Sequence, residues 1–282
     1  MRRVDDYLNG IKTLPPAPRV LPELLKLLRE EDVDSAKVVS VIACDPALTA
    51  NVLQLCNSAY FGLATPAEDL QEAVTRVGYN QVFQMVAALV GSTTLAPPQP
   101  GYGIDKGELW KHSIAAAVAA ENVAKELGDA GTLVYTATLL HDIGKMVLSE
   151  SLVQEYARLV ESTEKEQQPL VETERKILGT DHAEVGGRLL ERWRFPATLV
   201  AAVAHHHAPA QAGEHVRLAA YTYLGNMLAH FMGYGYGHVP FALRGRTEAM
   251  EVLGLHQDDL PRFMIQTFER MNQIQTLFRV AP

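Results

Sequence analysis

The sequence has 282 residues, a length that corresponds to one or two domains. Its hydrophobic fraction of 48% and charged fraction of 21% are typical of a soluble globular protein. The formal charge is −8, with 8 basic and 11 acidic residues in positions 1–100 and 17 and 22 in the rest, so neither part has the basic excess of a nucleic-acid-binding surface.

Nothing in the sequence predicts export or insertion into a membrane. The N-terminal stretch MRRVDDYLNG lacks the apolar core of a signal peptide, and no apolar run approaches the roughly 18 residues of a membrane span. The two cysteines, Cys44 and Cys56, form no CxxC pair and are typical of reduced structural thiols. These features predict a cytoplasmic protein.

The spacing of apolar residues predicts helices along nearly the whole chain, and we therefore expect an all-α fold. Leucines between Leu21 and Leu28 recur at the i, i+3, i+4 and i+7 positions of one helix face. Asp45 and Pro46 are typical of a helix start, because Asp45 can cap the helix and Pro46 suits its first turn. A further helix is predicted over Ala73–Leu89, with a break at Gly78.

A proline- and glycine-rich segment, TTLAPPQPGYG at Thr93–Gly103, marks the best domain boundary, since it cannot continue a helix. We predict an N-terminal helical subdomain at residues 1–96 and a second helical subdomain at residues 104–282. The predicted helices of the second subdomain are Glu108–Leu127, Leu133–Leu148, Leu152–Ser162, Gln168–Leu178, His182–Trp193, Ala197–His205, Val216–Phe231 and Leu260–Phe278. A glycine-rich loop is expected at Met232–Gly245.

The second subdomain contains all ten histidines of the chain. Candidate metal ligands are Glu108 and His112 one turn apart, the adjacent His141 and Asp142, then His182 and members of the run His205–His207. His182 follows Asp181, which is expected to cap its helix, with Glu184 completing a capping box. Imidazole and carboxylate groups are the ligands that zinc, iron, manganese and nickel ions prefer. Ligands on several helices can converge in a bundle core, where a carboxylate can bridge two ions.

Ordinary structural roles stay open for several of these residues. Lys145 could be a phosphate-binding side chain or a charge favoured by the dipole at a helix C-terminus. Glu108 could equally be a first-turn acid of its helix. Three consecutive histidines point in different directions on a helix, so at least one of His205–His207 is not expected to be a ligand. The more isolated histidines are expected to be core residues, namely His215, His230, His238 and His256.

The order of these residues resembles the HD-domain metal-dependent phosphohydrolases, and in particular their cyclic-di-GMP phosphodiesterase branch, the HD-GYP proteins. This resemblance implies that the later metal ligands are His206, His207 and the residue at position 226, which is Asn226. The earlier segments LPPAPRVLPELLKLL, VIACDPALTANVLQLCNSAYFG and LQEAVTRVGYNQV closely resemble the HDOD domain, the HD-related output domain of bacterial signalling proteins. This resemblance runs from about Leu14 to about His207. It implies an all-α, HD-domain-like helical bundle preceded by an N-terminal helical subdomain.

The chain departs from the phosphodiesterase pattern at two places. Asn226 lies where the final aspartate ligand is expected, and an amide oxygen is a weaker ligand for a hard divalent ion. His207 is followed by Ala208 and Pro209, so the GYP motif is missing. Both departures weaken the expectation of phosphodiesterase activity that the resemblance would otherwise imply.

Two functions follow from the resemblance. The first is a bacterial signalling module with a partly degenerate metal site, which acts by binding a signalling protein or a ligand such as a nucleotide. The alternative is an active phosphohydrolase or phosphodiesterase on a nucleotide or cyclic dinucleotide, with Asp142 and Lys145 in catalytic roles. In either case the expected cofactor is one or more divalent ions, iron, manganese, zinc or nickel. The oligomeric state is left open by the sequence.

Overall fold

The computed structural model describes residues 4–10, 20–30, 32–166, 168–235 and 246–280, and within these ranges the protein is all-α. The helices are α1 (Val4–Gly10), α2 (Val20–Leu27), α3 (Ser35–Ala43), α4 (Pro46–Cys56), α5 (Leu70–Val77), α6 (Tyr79–Leu95), α7 (Glu108–Glu126), α8 (Gly131–Leu139), α9 (Ile143–Leu152), α10 (Tyr156–Glu166), α11 (Leu170–Leu178), α12 (His182–Arg192), α13 (Ala197–Ala204), α14 (Val216–Phe231), α15 (Arg246–Leu253) and α16 (Leu260–Val280). Positions 14–19 of the HDOD-like segment and positions 236–245 of the predicted glycine-rich loop lie outside the described residues.

The chain divides into two compact units. The first contains residues 1–16 and 91–267, and the second contains residues 17–90 and 268–282. The predicted subdomains at residues 1–96 and 104–282 stay a prediction; the units differ from them because α1 groups with the first unit and the end of α16 with the second. Within the described residues, no helix combines the length and the apolar character that crossing a bilayer requires.

Local sequence signals determine where helices of the second unit begin and end. Asp45 accepts hydrogen bonds from the backbone N–H groups of Ala47 and Leu48, with Pro46 as the first residue of α4, so the predicted helix start is confirmed. Gly78 has a φ of 91° and separates α5 from α6, which confirms the predicted break. Helix α6 runs on to Leu95, so the first three residues of the segment Thr93–Gly103 are helical, although its composition predicted none.

Helices α7 and α14 form the core of the first unit. The alanines from Ala115 to Ala120 are fully buried on α7, and their small side chains let neighbouring helices approach closely. A Cβ atom at Gly225 of α14 would lie only 2.4 Å from the carbonyl oxygen of Ala116, so this position requires glycine. The close contact fixes α14 against α7, and with it the residues that the two helices direct inward.

The predicted helix Leu133–Leu148 is wrong, because the chain forms two helices, α8 and α9, with a break at residues 140–142. At the break the N–H of His141 bonds to the carbonyl of Thr138 and that of Ile143 to the carbonyl of Leu140, so the backbone tightens to i, i+3 hydrogen bonds. The predicted helix Leu152–Ser162 is displaced as well. Helix α9 extends to Leu152, and α10 begins only at Tyr156.

Candidate metal centre

Five structural elements of the first unit bring the candidate ligands together. His112 lies on α7, and the break between α8 and α9 carries His141 and Asp142. His182 is the first residue of α12, where Asp181 caps the helix by accepting from the N–H groups of Ala183 and Glu184. The remaining members are His206 and His207, which follow α13, and Asn226 of α14. The Glu184 carboxylate accepts a hydrogen bond from the hydroxyl of Thr180.

Asp142 lies at the centre of this cluster, and its two carboxylate oxygens face different histidines. Oδ2 lies 3.3 Å from Nε2 of His141 and 3.8 Å from Nε2 of His112. Oδ1 lies 3.2 Å from Nε2 of His182 and 3.9 Å from Nε2 of His206. A carboxylate placed in this way can bridge two ions, one beside each oxygen.

The ligand atoms accordingly form two groups, each compact enough to hold one ion. Nitrogen and oxygen atoms of His112, His141 and Asp142 lie within 4.8 Å of one another, as do the ring nitrogens of His182, His206 and His207. Asn226 belongs with the first group, since its Oδ1 lies 3.1 Å from Nε2 of His112. We name the first group, with Asn226, the His112 position, and the second group the His182 position.

The rings are held in orientations that direct Nε2 inward. The outer nitrogen, Nδ1, of three histidines bonds to a backbone carbonyl: His141 to Thr138 at 2.6 Å, His206 to Val203 at 2.8 Å and His112 to Tyr234 at 3.1 Å. Because a carbonyl only accepts, each Nδ1 carries a proton and, in a neutral ring, Nε2 presents a lone pair to the cluster. Such outer partners are typical of metal-binding histidines.

The outer partner of His182 is different, because it is a charged side chain. Glu174 of α11 accepts hydrogen bonds from the backbone N–H of His182 at 2.9 Å and from its Nδ1 at 2.7 Å. Both residues are buried. Tyr102 is buried as well, and burial together with the nearby Glu174 raises its pKa well above the usual range.

Burial and charge set the protonation of the cluster. Burial lowers the pKa of His112, His206 and His207 well below the usual range, with neighbouring histidines acting in the same direction, so these rings are neutral. Burial alone would raise the pKa of Asp142, yet His141 and Lys145 hold it well below its usual value. His112, His206 and His207 thus offer neutral imidazoles beside an ionised carboxylate, the protonation states that metal binding requires.

The residues fit divalent ions by a second criterion. Nε2 of His141 and Nε2 of His206 are buried and have no hydrogen-bond partner among the described residues. A buried nitrogen without a partner is costly, and an ion at each of the two positions would satisfy both atoms. Lys145 donates a hydrogen bond of 2.7 Å to Oδ2 of Asp142, so a positive charge already adjoins the carboxylate at the His112 position.

The structure does not bring Glu108 into the cluster. Its side chain is exposed, and it accepts a hydrogen bond from the backbone N–H of Asp105 at 2.9 Å, as expected of a first-turn acid. Of the three consecutive histidines, His206 and His207 join the cluster. His230, expected to be an ordinary core residue, lies beside His112 with the ring centroids 4.7 Å apart, and burial lowers its pKa to about 4.

Comparison with known proteins identifies the family. The model of the HDOD domain matches residues 14–209, which is more than half of the chain. The protein belongs to the HDOD family. This assignment confirms the resemblance seen in the sequence and accounts for the all-α fold.

Three similar proteins show how far the similarity extends along the chain. An uncharacterized protein of Treponema pallidum (strain Nichols) is 26% identical over 236 residues, which cover 83% of this chain but only 45% of that protein, so the chain spans less than half of its length. Ribonuclease Y of Thermus thermophilus is 35% identical over 99 residues, 35% of this chain and 12% of that enzyme. A candidate signal transduction protein of Marinobacter aquaeolei VT8 has a TM-score of 0.74 and 23% identity, covering 98% of this chain and 61% of that one.

Metal binding to this HDOD protein is expected to depend on pH because of His182. Burial alone would lower the pKa of His182, but Glu174 and the hydrogen bond to Asp142 raise it from 6.5 to about 9. Below pH 9 the metal-free ring therefore holds a proton on Nε2 that an ion must displace. We expect the apparent affinity of the His182 position to fall about tenfold for each pH unit between 8 and 6.

Calorimetry in buffers of different ionisation enthalpy checks this dependence, because the difference in heat counts the protons released. About one proton per ion bound at the His182 position is expected at pH 7. The rings of His206 and His207 are neutral at that pH and contribute none. Binding that is independent of pH over this range would show that His182 is already neutral in the metal-free protein.

Proposed function

We propose that this HDOD protein is a regulatory module whose first unit binds a pair of divalent ions, and that it acts by binding a signalling protein or a small ligand. The central observation in support is that Asp142 directs one oxygen toward each of two histidine groups. Iron, manganese, zinc and nickel all suit such nitrogen and carboxylate ligands. In this proposal the ions hold together the elements that meet at Asp142 and keep the unit in one conformation.

The burial of the ligands favours binding over turnover. His112, His141, Asp142, His182 and His206 are each at most 1% exposed, and the side of the cluster that is partly open is formed by His207. A phosphodiester in line with both ions would need access to the two positions at once. The amide of Asn226 in place of a carboxylate also weakens the His112 position.

The protein belongs to the HDOD family, and the HDOD domains that its sequence resembles are output domains of bacterial signalling proteins. This family membership supports a protein partner. The solved structure from Marinobacter aquaeolei that shares the fold is itself a candidate signal transduction protein. A buried metal pair that stabilises one conformation would let such a module present a defined surface to its partner. A nucleotide is a further candidate ligand, because the order of the histidines resembles that of the cyclic-di-GMP phosphodiesterases.

Phosphodiester hydrolysis is the second candidate function, and the pairing of Asp142 with Lys145 favours it. Bound ions would supply an activated water and stabilise phosphoryl charge. Asp142 would help to hold both ions. The Lys145 side chain would move from Asp142 to neutralise the charge of a phosphate oxygen. The partial match to ribonuclease Y supports this candidate as well.

Metal analysis followed by activity assays separates the two functions. The protein purified with added manganese or iron is expected to contain metal, and His141→Ala is expected to contain less. Cyclic dinucleotides and a generic phosphodiester are expected to remain intact. Turnover by the wild-type protein that disappears in His141→Ala would overturn the binding role in favour of hydrolysis, and a wild-type protein without metal would overturn both.

The Asn226→Asp variant is expected to bind the ion of the His112 position about tenfold or more tightly, because a carboxylate replaces a neutral amide beside His112. Without metal the same change brings a second negative charge close to Asp142, so the metal-free variant should unfold at a lower temperature than the wild type. Titration with Mn²⁺ and thermal unfolding with and without the ion measure both effects. Asn122→Asp, on α7 away from the cluster, is the matched control, and equal changes in both variants would contradict the prediction.

A further inference from the structure

Glu174 distinguishes the two positions of the candidate metal centre. The outer nitrogens of His112, His141 and His206 bond to neutral backbone carbonyls. His182 instead bonds to a carboxylate, which accepts from its Nδ1 and from its backbone N–H. A charged acceptor makes stronger hydrogen bonds than a neutral carbonyl and increases the electron density of the imidazole ring.

The two hydrogen bonds also fix the place of His182. It is the first residue of α12, where backbone N–H groups have no partner within the helix. The Glu174 carboxylate accepts hydrogen bonds both from the backbone N–H of His182 and from its ring, so it fixes the backbone and the side chain of His182 together. The glutamate is fully buried on α11, and its orientation is set by this pair of contacts.

The charges around the two positions also favour a cation more strongly at the His182 position. Both share the ionised Asp142, but the His182 position has the additional negative charge of Glu174 behind one ligand. The His112 position has the neutral amide of Asn226 instead, and the ammonium of Lys145 lies 2.7 Å from its carboxylate oxygen. The Lys145 charge acts on both positions but contacts the carboxylate oxygen of the His112 position directly, so a cation is favoured at the His182 position, where Glu174 adds a negative charge.

We propose that Glu174 is a positioning residue that makes the His182 position the tighter of two unequal metal sites. The inference rests on the proposed function, since it requires that the cluster binds divalent ions. It assigns an order of filling, with the first ion at His182, His206 and His207. The second ion, at the His112 position, is then the one that exchanges when the metal concentration changes.

The variant Glu174→Gln tests the role of the charge, because the amide keeps the size of the side chain and an acceptor oxygen. In a His112→Ala background, which removes a ligand of the other position, Co²⁺ titration followed by visible absorption reports on the His182 position alone. Once the affinity is corrected for the proton that His182 releases on binding, we expect Glu174→Gln to weaken this binding about 10- to 100-fold. Co²⁺ binding at the His112 position, isolated by His207→Ala, should change far less.

Glu121→Gln is the matched control, since Glu121 is another buried glutamate of the first unit, on α7 about two and a half turns from His112. It should leave both titrations unchanged. Equal weakening of both positions by Glu174→Gln would reduce Glu174 to a general structural role and overturn the inference, as would unchanged Co²⁺ binding. If the wild-type protein binds no Co²⁺, Mn²⁺ or Fe²⁺ at all, the proposed function itself fails.

Discussion

The Asp142→Asn variant is expected to lose metal from both positions, with an affinity lower by more than about 100-fold at each. The amide retains the shape of the side chain but has one oxygen and one NH₂ group. One position therefore receives a neutral oxygen, and the other faces a donor that cannot bind a cation. Elemental analysis of the purified variant, followed by Mn²⁺ titration, measures the loss.

The same substitution removes the charged partner of Lys145, which is only 4% exposed. A buried ammonium left without its carboxylate is destabilising, and we expect the metal-free variant to lose about 3 kcal/mol of unfolding free energy. The double variant Asp142→Asn/Lys145→Met removes both charges and should recover most of this stability without recovering metal binding.

Asp129→Asn provides the comparison, because Asp129 pairs with Arg217 and Tyr221 elsewhere in the first unit. It should keep the metal content of the wild type. Retention of two ions by Asp142→Asn would show that the histidines bind metal without a bridge, and the arrangement proposed here would then be wrong.

Helices and their starts were accessible from the sequence because their signals are local. Asp45 and Asp181 cap their helices through N–H groups two and three residues ahead, so spacing alone identified them. The break at residues 140–142 was missed because Leu139–Leu148 keeps an apolar pattern across it. Its cause lies in backbone and ring hydrogen bonds to Thr138 that composition does not encode.

The members of the candidate site were predicted by residue type, and apart from Glu108 they converge on Asp142 or, for Asn226 and His207, on a histidine of the cluster. Lys145 bonds to Asp142 directly. Their role as metal ligands stays a prediction. The division into two positions was not accessible, because it depends on which oxygen of Asp142 each helix approaches.

The two residues that hold the outer nitrogens of His182 and His112, Glu174 and Tyr234, could not be identified from the sequence. Glu174 precedes His182 by eight residues on another helix, and its burial depends on how α11 packs against α12. Glu174 lies between Thr173 and Arg175 in a polar helix, and no feature of the sequence marks it as buried. Tyr234 acts through its carbonyl oxygen, which every residue has, so no side-chain pattern could have identified it.

The Gly144→Ala variant is expected to lose about 3 kcal/mol of unfolding free energy, because helices α9 and α12 touch through their backbones at this glycine. An added Cβ would lie 1.9 Å from the carbonyl oxygen of His182 and 2.7 Å from the backbone nitrogen of Gly186. Neither atom belongs to a side chain that can rotate away, so the two helices must separate. Denaturant unfolding followed by circular dichroism measures the change.

Separation of the helices also affects the candidate metal centre, since Gly144 lies two residues after Asp142 and its clash is with His182 itself. The distance of 3.2 Å between Oδ1 of Asp142 and Nε2 of His182 must increase when α9 moves. A Gly144→Ala protein that still folds should therefore bind metal more weakly than the wild type. Gly10→Ala, where an added Cβ meets no atom within 4 Å, should change neither property. Wild-type stability and metal content in Gly144→Ala would mean that the close approach of α9 and α12 does not hold the two ligands in place.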